Sequence, residues 1–320
     1  MFVGPLGRAV TAPTLGSDGG VSEPVTPDSA CPACANLAVS AAVPGKDPAV
    51  TAHDLRDQLV LITGASSGLG VEFAQQLAAR GANLILVARR EDRLRSLAER
   101  LENATGISAH VVAMDLARAD AGVVLKEKLQ AEGLTPTALI NNAGFGTGGA
   151  FHEIDADRLR QEVLLDVASL TDITRAFIDD LRAAQGGFLI NIASIAAFQP
   201  NPRLAVYSAC KAYVLSLSES LWYESRDAGL RVLALCPGPT RTEFFDVAGK
   251  GAGGGLPEME APDVVRCAIN ALDKPLAGPA IVPGALNKLV TSSSRVVPRR
   301  LVALISGRTM DRASRRLNQG

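Results

Sequence analysis

Six short apolar runs recur between residues 58 and 238: QLVLITGA, ANLILVAR, SAHVVAMDL, TALINNAG, GGFLINIAS and LRVLALCPG. A shorter seventh, PAIVPG, follows near residue 280. A strand with one wet face alternates apolar and polar residues, and these runs barely alternate. They suit strands covered on both faces. Between them lie segments of helical period at 68–80, 91–104, 121–132, 156–184 and 205–228. Strand, helix, strand at this cadence requires parallel pairing through right-handed crossovers. The expected fold is therefore α/β, a doubly wound parallel sheet of about seven strands, with no internal repeat to compete.

This pattern occupies residues 54–285 as one catalytic-sized domain. Residues 1–53 are rich in Gly, Pro, Ala, Ser and Thr, lack either period, and read as a flexible extension. Their start lacks the compact apolar run of a secretory signal; a cleaved transit segment and an over-extended start stay open as alternatives. Cys31 and Cys34 in CPAC make half a zinc site at most, with no second Cys or His pair at ligand spacing. Five cysteines, an odd number at irregular spacing, argue against a secreted disulfide framework and for a reducing, cytoplasmic setting. A net charge of −1 offers no reason to expect a nucleic-acid partner, and no apolar run is long enough to span a membrane.

Residues 286–320 form a separate basic extension, with Asp311 as the one acid among many arginines around the apolar stretch RRLVALISG. The plain reading is an appended helix docked on the domain or frayed in solvent. The sharper one is a basic amphipathic element that lies on an anionic membrane or caps a substrate cleft.

The first strand runs into TGASSGLG, which places Thr63, Gly64, Ser66, Ser67, Gly68, Leu69 and Gly70 at a strand-to-helix turn. Glycines there let the backbone approach a pyrophosphate and aim free helix N–H groups at it. The second strand ends in VARRED. A dinucleotide with a free ribose 2′-hydroxyl calls for an acid at that point, whereas Arg89 and Arg90 suit a 2′-phosphate. NADP(H) is thus preferred, with NAD(H) as the alternative.

With NNAG (Asn141 to Gly144), NIAS and YSACK added in order, the chain resembles the short-chain dehydrogenases/reductases, in their short single-domain branch, over residues 57 to 285. The resemblance implies a Rossmann-type sheet. It implies that Asp115 and Leu116 lie near the adenine, and that Asn142, Ala143 and Gly144 line the adenosine side. Pro237 and Gly238 would flank the nicotinamide, with Thr242 reaching the cofactor from a mobile loop. A sugar epimerase of the extended branch is disfavoured, because its glycine pattern is differently spaced.

Tyr207 and Lys211 stand four apart and share a helix face. A phenol with a pKa of about 10 is a poor acid near neutrality, and an ammonium beside it is expected to lower that value. Ser194, at the end of the fifth strand, can donate to a carbonyl oxygen whose alkoxide Tyr207 then protonates. The three histidines are scattered and propose no metal. Cys210 reads as helix packing.

Asp166 sits within RQEVLLDVASLTDITRAF, on the expected apolar face with Leu159, Val163, Leu170, Ile173 and Phe177. A buried carboxylate costs several kcal/mol, roughly, unless paired or protonated. The resembling family usually carries asparagine there, fixing a helix distortion that feeds a proton relay to the lysine. Asp166 either supports the same relay beside Lys211 or impairs it; a third reading is a chance salt bridge on a partly exposed face.

The expected activity is NADP(H)-dependent interconversion of a carbonyl and an alcohol on a hydrophobic small molecule. A glycine-rich lid near 239–265 would cover it, with Phe198, Phe244 and Phe245 as walls. The contrasting reading is a weak or inactive dinucleotide-binding regulator. The resemblance also implies a homo-oligomer joined through helices 156–184 and 205–228.

Overall fold

A computed structural model of the chain describes residues 55–317, apart from 57, 250–252, 275–276 and 295. The expected extension at 1–53, with Cys31 and Cys34, lies outside the described residues.

The strands fall on the apolar runs: β1 Leu59–Thr63, β2 Asn83–Ala88, β3 Ala109–Ala113, β4 Ala138–Asn141, β5 Phe188–Ile192 and β6 Arg231–Leu235. Two two-residue strands, β7 Thr240–Arg241 and β8 Met259–Glu260, pair separately, and β9 Ala280–Ile281 closes the main sheet. The main sheet has seven parallel strands in the order β3-β2-β1-β4-β5-β6-β9. This is the doubly wound, Rossmann-type architecture that the sequence implied. The order reverses between β1 and β4, so a crevice opens there beyond the carboxyl ends of the strands.

Side-chain alternation within each run divides the core between the two faces of the sheet. Val60, Ile62, Leu84, Leu86, Ile140 and Ile190 pack with Phe73 and Leu77 of α1 (Gly68–Ala79), Leu94 and Leu97 of α2 (Glu91–Thr105), and Val265 and Ile269 of α8 (Ala261–Leu272). Leu61, Ile85, Leu139 and Leu189 pack against Leu125 and Leu129 of α3 (Ala121–Ala131) and Ile173, Phe177 and Leu181 of α5 (Leu170–Ala183). Each such buried leucine, isoleucine or phenylalanine contributes about 1.5–3 kcal/mol. That burial, rather than helix propensity, holds the helices against the sheet.

The segment expected as one helix over 156–184 is not a single α-helix. It comprises α4 (Ala156–Val163), a π-helical turn over Leu164–Ser169, and α5. Asp155 caps its start, accepting from the Arg158 N–H at 2.9 Å. The π turn inserts one residue, so the face that α5 buries continues through Glu162 rather than Val163. Val163 is 44% exposed and Glu162 is 0% exposed, which corrects the expectation that Val163 lies on the buried stripe. Asp166, also 0% exposed, does lie inside.

Helix α6 (Ala205–Glu224) carries the YxxxK pair. The β7/β8 clasp brackets the glycine-rich segment, which contains the short α7 (Phe244–Ala248). The chain then adds α9 (Ala285–Ser293) and α10 (Arg299–Leu317). Among the described residues, no helix is long and apolar enough to cross a membrane.

Candidate active site

The turn after β1 is built by close backbone approach. Gly64 has φ +66°, and a Cβ on Gly70 would stand 2.4 Å from the Gly64 carbonyl oxygen. No side chain other than hydrogen fits at Gly70, which explains the glycine without reference to any ligand. Thr63 is buried. Its hydroxyl accepts the N–H groups of Asn142 and Ala143, each at 3.0 Å, and donates to the Ile140 carbonyl. Asn142 returns the contact, its side-chain amide donating to the Thr63 and Gly64 carbonyls at 2.9 and 3.1 Å. The glycine turn and the NNAG turn are thus one hydrogen-bonded unit at the switch point.

Arg90 follows β2 at the N-cap of α2 and turns back over this unit, donating from Nε to the Ser66 hydroxyl at 3.1 Å. Its guanidinium also meets Glu243 at 3.0 Å, and Arg93 meets the same carboxylate at 2.7 Å. The pull of Arg93 and then Arg90 holds the Glu243 carboxyl below its ordinary value. Glu243 follows Thr242, whose side chain would lie 3.2 Å from a Cβ on Gly68. The lid therefore reaches across both the glycine turn and the paired arginines.

At the other end stand Ser194, Tyr207 and Lys211. The Ser194 hydroxyl accepts the Ala196 N–H at 3.1 Å. Lys211 donates to the Ile192 carbonyl at 3.0 Å, and its Nζ lies 5.7 Å from the Tyr207 ring centre. Asp166 pairs with that ammonium through Oδ2 at 3.1 Å. Its Oδ1 accepts the Phe145 N–H at 3.0 Å. One carboxylate thus ties the π turn to the loop after β4 and sets a negative charge behind Lys211. A Cβ on Gly144 would come within 2.9 Å of Oδ1, so a larger residue there would push against the carboxylate that holds the loop. Asp166 is buried, so the reading of a partly exposed face does not hold.

Burial raises the Asp166 carboxyl, opposed chiefly by Lys211. Burial works to lower Lys211, but Asp166 and Tyr207 outweigh it and the net direction is up. Tyr207 departs from the sequence expectation. Burial raises its phenol, and the Lys211 charge and Ser194 hydroxyl recover only part of the shift. Removing water from around the ring costs a phenolate more than one ammonium returns.

These groups share one cleft of about 900 Å³. Gly64, Ser66, Ser67, Gly68, Leu69, Arg89, Arg90, Asp115, Leu116, Asn142, Ala143, Gly144, Ser194, Tyr207, Lys211, Pro237, Gly238 and Thr242 all line it. Thr63, Gly70 and Asp166 do not; they hold its floor from beneath. The elongated, glycine-floored half, with arginines at its end and the uncapped N-terminus of α1 facing it, fits a dinucleotide phosphate.

Another wall comes from the basic C-terminal extension, which the sequence left with several readings. Val302, Ile305, Ser306, Thr309 and Met310 of α10 line the cleft, and Met310 packs on Leu204 and Tyr207. Two polar contacts dock the helix: Ser306 donates to Asn201 at 3.1 Å, and Arg203 pairs with Asp311 at 2.7 Å. Sequence reasoning missed Asn201, Met310, Glu243 and Glu162. For the first three no local signal exists, because their partners are distant in the chain. Glu162 was hidden by the inserted residue of the π turn.

Comparison with known proteins bears on the same region. The family described as short chain dehydrogenase matches residues 58–252. An uncharacterized oxidoreductase of Staphylococcus saprophyticus is 28% identical over 222 residues, covering 69% of this chain and 94% of the relative. Mouse 17-beta-hydroxysteroid dehydrogenase type 3 is 32% identical over 182 residues, but the match spans only 56% of this chain and 59% of the mouse protein. Among solved structures, a short-chain dehydrogenase from Sphingobium yanoikuyae in complex with NADPH is 32% identical. It superposes with a TM-score of 0.65, covering 75% of this chain and 94% of the other.

Proposed function

The chain belongs to the short-chain dehydrogenase family, enzymes that interconvert carbonyls and alcohols, and from that premise we propose that it is an NADP(H)-dependent reductase of an apolar ketone or aldehyde. The observation that carries this reading is the cleft itself. It joins the glycine turn and arginines at one end to Ser194, Tyr207 and Lys211 in the middle, and to an apolar α10 wall beyond.

A nicotinamide dinucleotide bound there supplies or accepts the hydride. Arg89 and Arg90 favour the phosphorylated adenosine ribose, in keeping with the NADPH held by the Sphingobium relative. Asp115 and Leu116 would bound the adenine, and Pro237, Gly238 and Thr242 the nicotinamide. Ser194 donates to the substrate carbonyl oxygen. Tyr207, proton-loaded because of its burial, gives its proton to the developing alkoxide. Lys211 stabilises the phenolate that remains, and Asp166 holds Lys211 charged. Phe244 and Phe245 on the lid, and Met310 on α10, supply apolar walls.

On α10, Leu301, Leu304 and Ile305 are about half exposed beside Arg299, Arg300 and Arg308, which supports contact with an anionic bilayer; flotation with anionic vesicles checks it. Exposed Val163, Tyr213 and Tyr223 support a homo-oligomer joined through α4 and α6, which light scattering checks.

The deciding experiment follows NADPH and NADH consumption over a panel of apolar ketones and aryl diketones. Turnover with NADPH that Tyr207→Phe lowers by about a hundredfold or more is expected. Cofactor binding without turnover across the panel would replace this reading with that of a regulatory dinucleotide-binding protein.

A further inference from the structure

Helix α4 buries a single residue, and it is a glutamate. Glu162 is 0% exposed, and neither carboxylate oxygen has a hydrogen-bond partner. The Thr147 hydroxyl, also buried, is a side-chain donor close to that carboxyl. An ionised carboxylate in such a place is unstable, so the carboxyl must take a proton or face a compensating charge.

The groups facing Glu162 come from every element around it. Arg158 precedes it on α4, with its guanidinium laid over the Phe145 ring at 3.9 Å. Thr147 stands on the loop after β4 and Asp166 on the π turn, while Tyr207, Cys210 and Lys211 come from α6. Burial raises the Glu162 carboxyl to about 7. Thr147 opposes that rise, Asp166 adds to it, and Arg158 and Lys211 oppose it more weakly. Lys211 is already matched by Asp166 at 3.1 Å, which leaves Arg158 as the other cation facing a second carboxylate charge there.

We propose that Glu162 is a positioning residue of the active site, an internal carboxyl whose ionisation adds a negative charge behind the Tyr207, Lys211 and Asp166 set and keeps the phenol protonated on the alkaline side of neutrality, biasing the site toward carbonyl reduction. Glu162 exchanges no proton with substrate; its action is electrostatic. Its charge opposes formation of the Tyr207 phenolate, as does that of Asp166. Alcohol oxidation needs that phenolate as base, and reduction needs the phenol as acid. Glu162 is therefore already ionised, above about 7, before the raised Tyr207 phenol begins to titrate, and its charge reinforces the reductive form there. The inference rests on the proposed reductase reading for its consequence, but not for its charge coupling.

The test measures Tyr207 ionisation directly in the full chain. Near-ultraviolet difference absorbance against Tyr207→Phe isolates that phenol, with and without Glu162→Gln. In the Gln background the phenolate should form at lower pH. With NADPH and an aryl diketone, reduction should fade at lower pH than in the parent. Relative to each protein's own plateau, the loss on the alkaline shoulder should be roughly threefold or more. Glu162→Met, also uncharged and similar in length, should behave as Gln does, and it serves if Gln fails to fold by circular dichroism.

Coincident phenol titrations in parent and variants would overturn the proposal. So would opposite pH behaviour of Gln and Met, which would point to hydrogen bonding rather than charge. A shifted phenol without turnover of any carbonyl would uphold the coupling and remove the reductase reading. Turnover that depends on Tyr207 but ignores Glu162 would do the reverse.

Discussion

Glu162 makes folding stability depend on pH in a direction opposite to that of most surface carboxylates. Its folded-state carboxyl is raised from 4.5 to about 7, so the folded chain holds a proton that the unfolded chain has released. That contribution is fully present below about 4.5 and is lost as pH rises toward about 7. The span corresponds to as much as about 3 kcal/mol. Denaturant unfolding should therefore find that Glu162→Gln flattens the decline in stability between about pH 5 and pH 8. A parallel decline in both proteins would mean that Glu162 is solvated in the folded state. Asp166 poses a different question, because its oxygens have two tasks. Asparagine keeps an acceptor for the Phe145 N–H but removes the charge beside Lys211. Asp166→Asn should leave the fold intact and lower the Lys211 pKa, seen as a displaced pH profile. An unchanged profile would deny the carboxylate any special part.

At the scale of elements, the strands were legible because burial on both faces leaves little room for polar residues. β1, β2, β4 and β5 fall within their apolar runs, and α1, α2 and α3 within a residue of their expected ends. The glycine turn was legible too, since the Gly64 carbonyl leaves no room for a Cβ on Gly70; the NNAG turn was legible as a motif, although its Gly144 is crowded by the distant Asp166 side chain. What the sequence hid was phase. A π turn changes which residues share a face while leaving composition almost untouched, so Val163 was expected inside and Glu162 drew no notice. The role of α10 was hidden for another reason. Ser306 meets Asn201 across 105 positions, and Arg203 meets Asp311 across 108, which no local window spans. The direction of the Tyr207 shift was also out of reach, because it depends on how much water the fold removes from around the ring.

Across the whole molecule, the cleft is a line of partners from distant parts of the chain: β1 and β2 for the proposed phosphate end, β5 and α6 for the proposed chemistry, and α10 for the apolar wall. The lid joins the two ends. Glu243 lies on Arg90 and Arg93, and Arg90 is one of the two arginines proposed to meet a 2′-phosphate. A resident carboxylate at that position is a tethered competitor, so part of the attraction for a phosphorylated cofactor is spent displacing it. Glu243→Gln should tighten NADPH by about threefold while leaving NADH almost unchanged, as read by fluorescence titration at low salt. Equal effects on both cofactors would place the glutamate outside that competition. Its release would also free the lid from its anchor at the moment the cofactor arrives. Such a chain should follow an obligatory kinetic order, in which the dinucleotide enters first and the carbonyl compound finds its way in only afterwards.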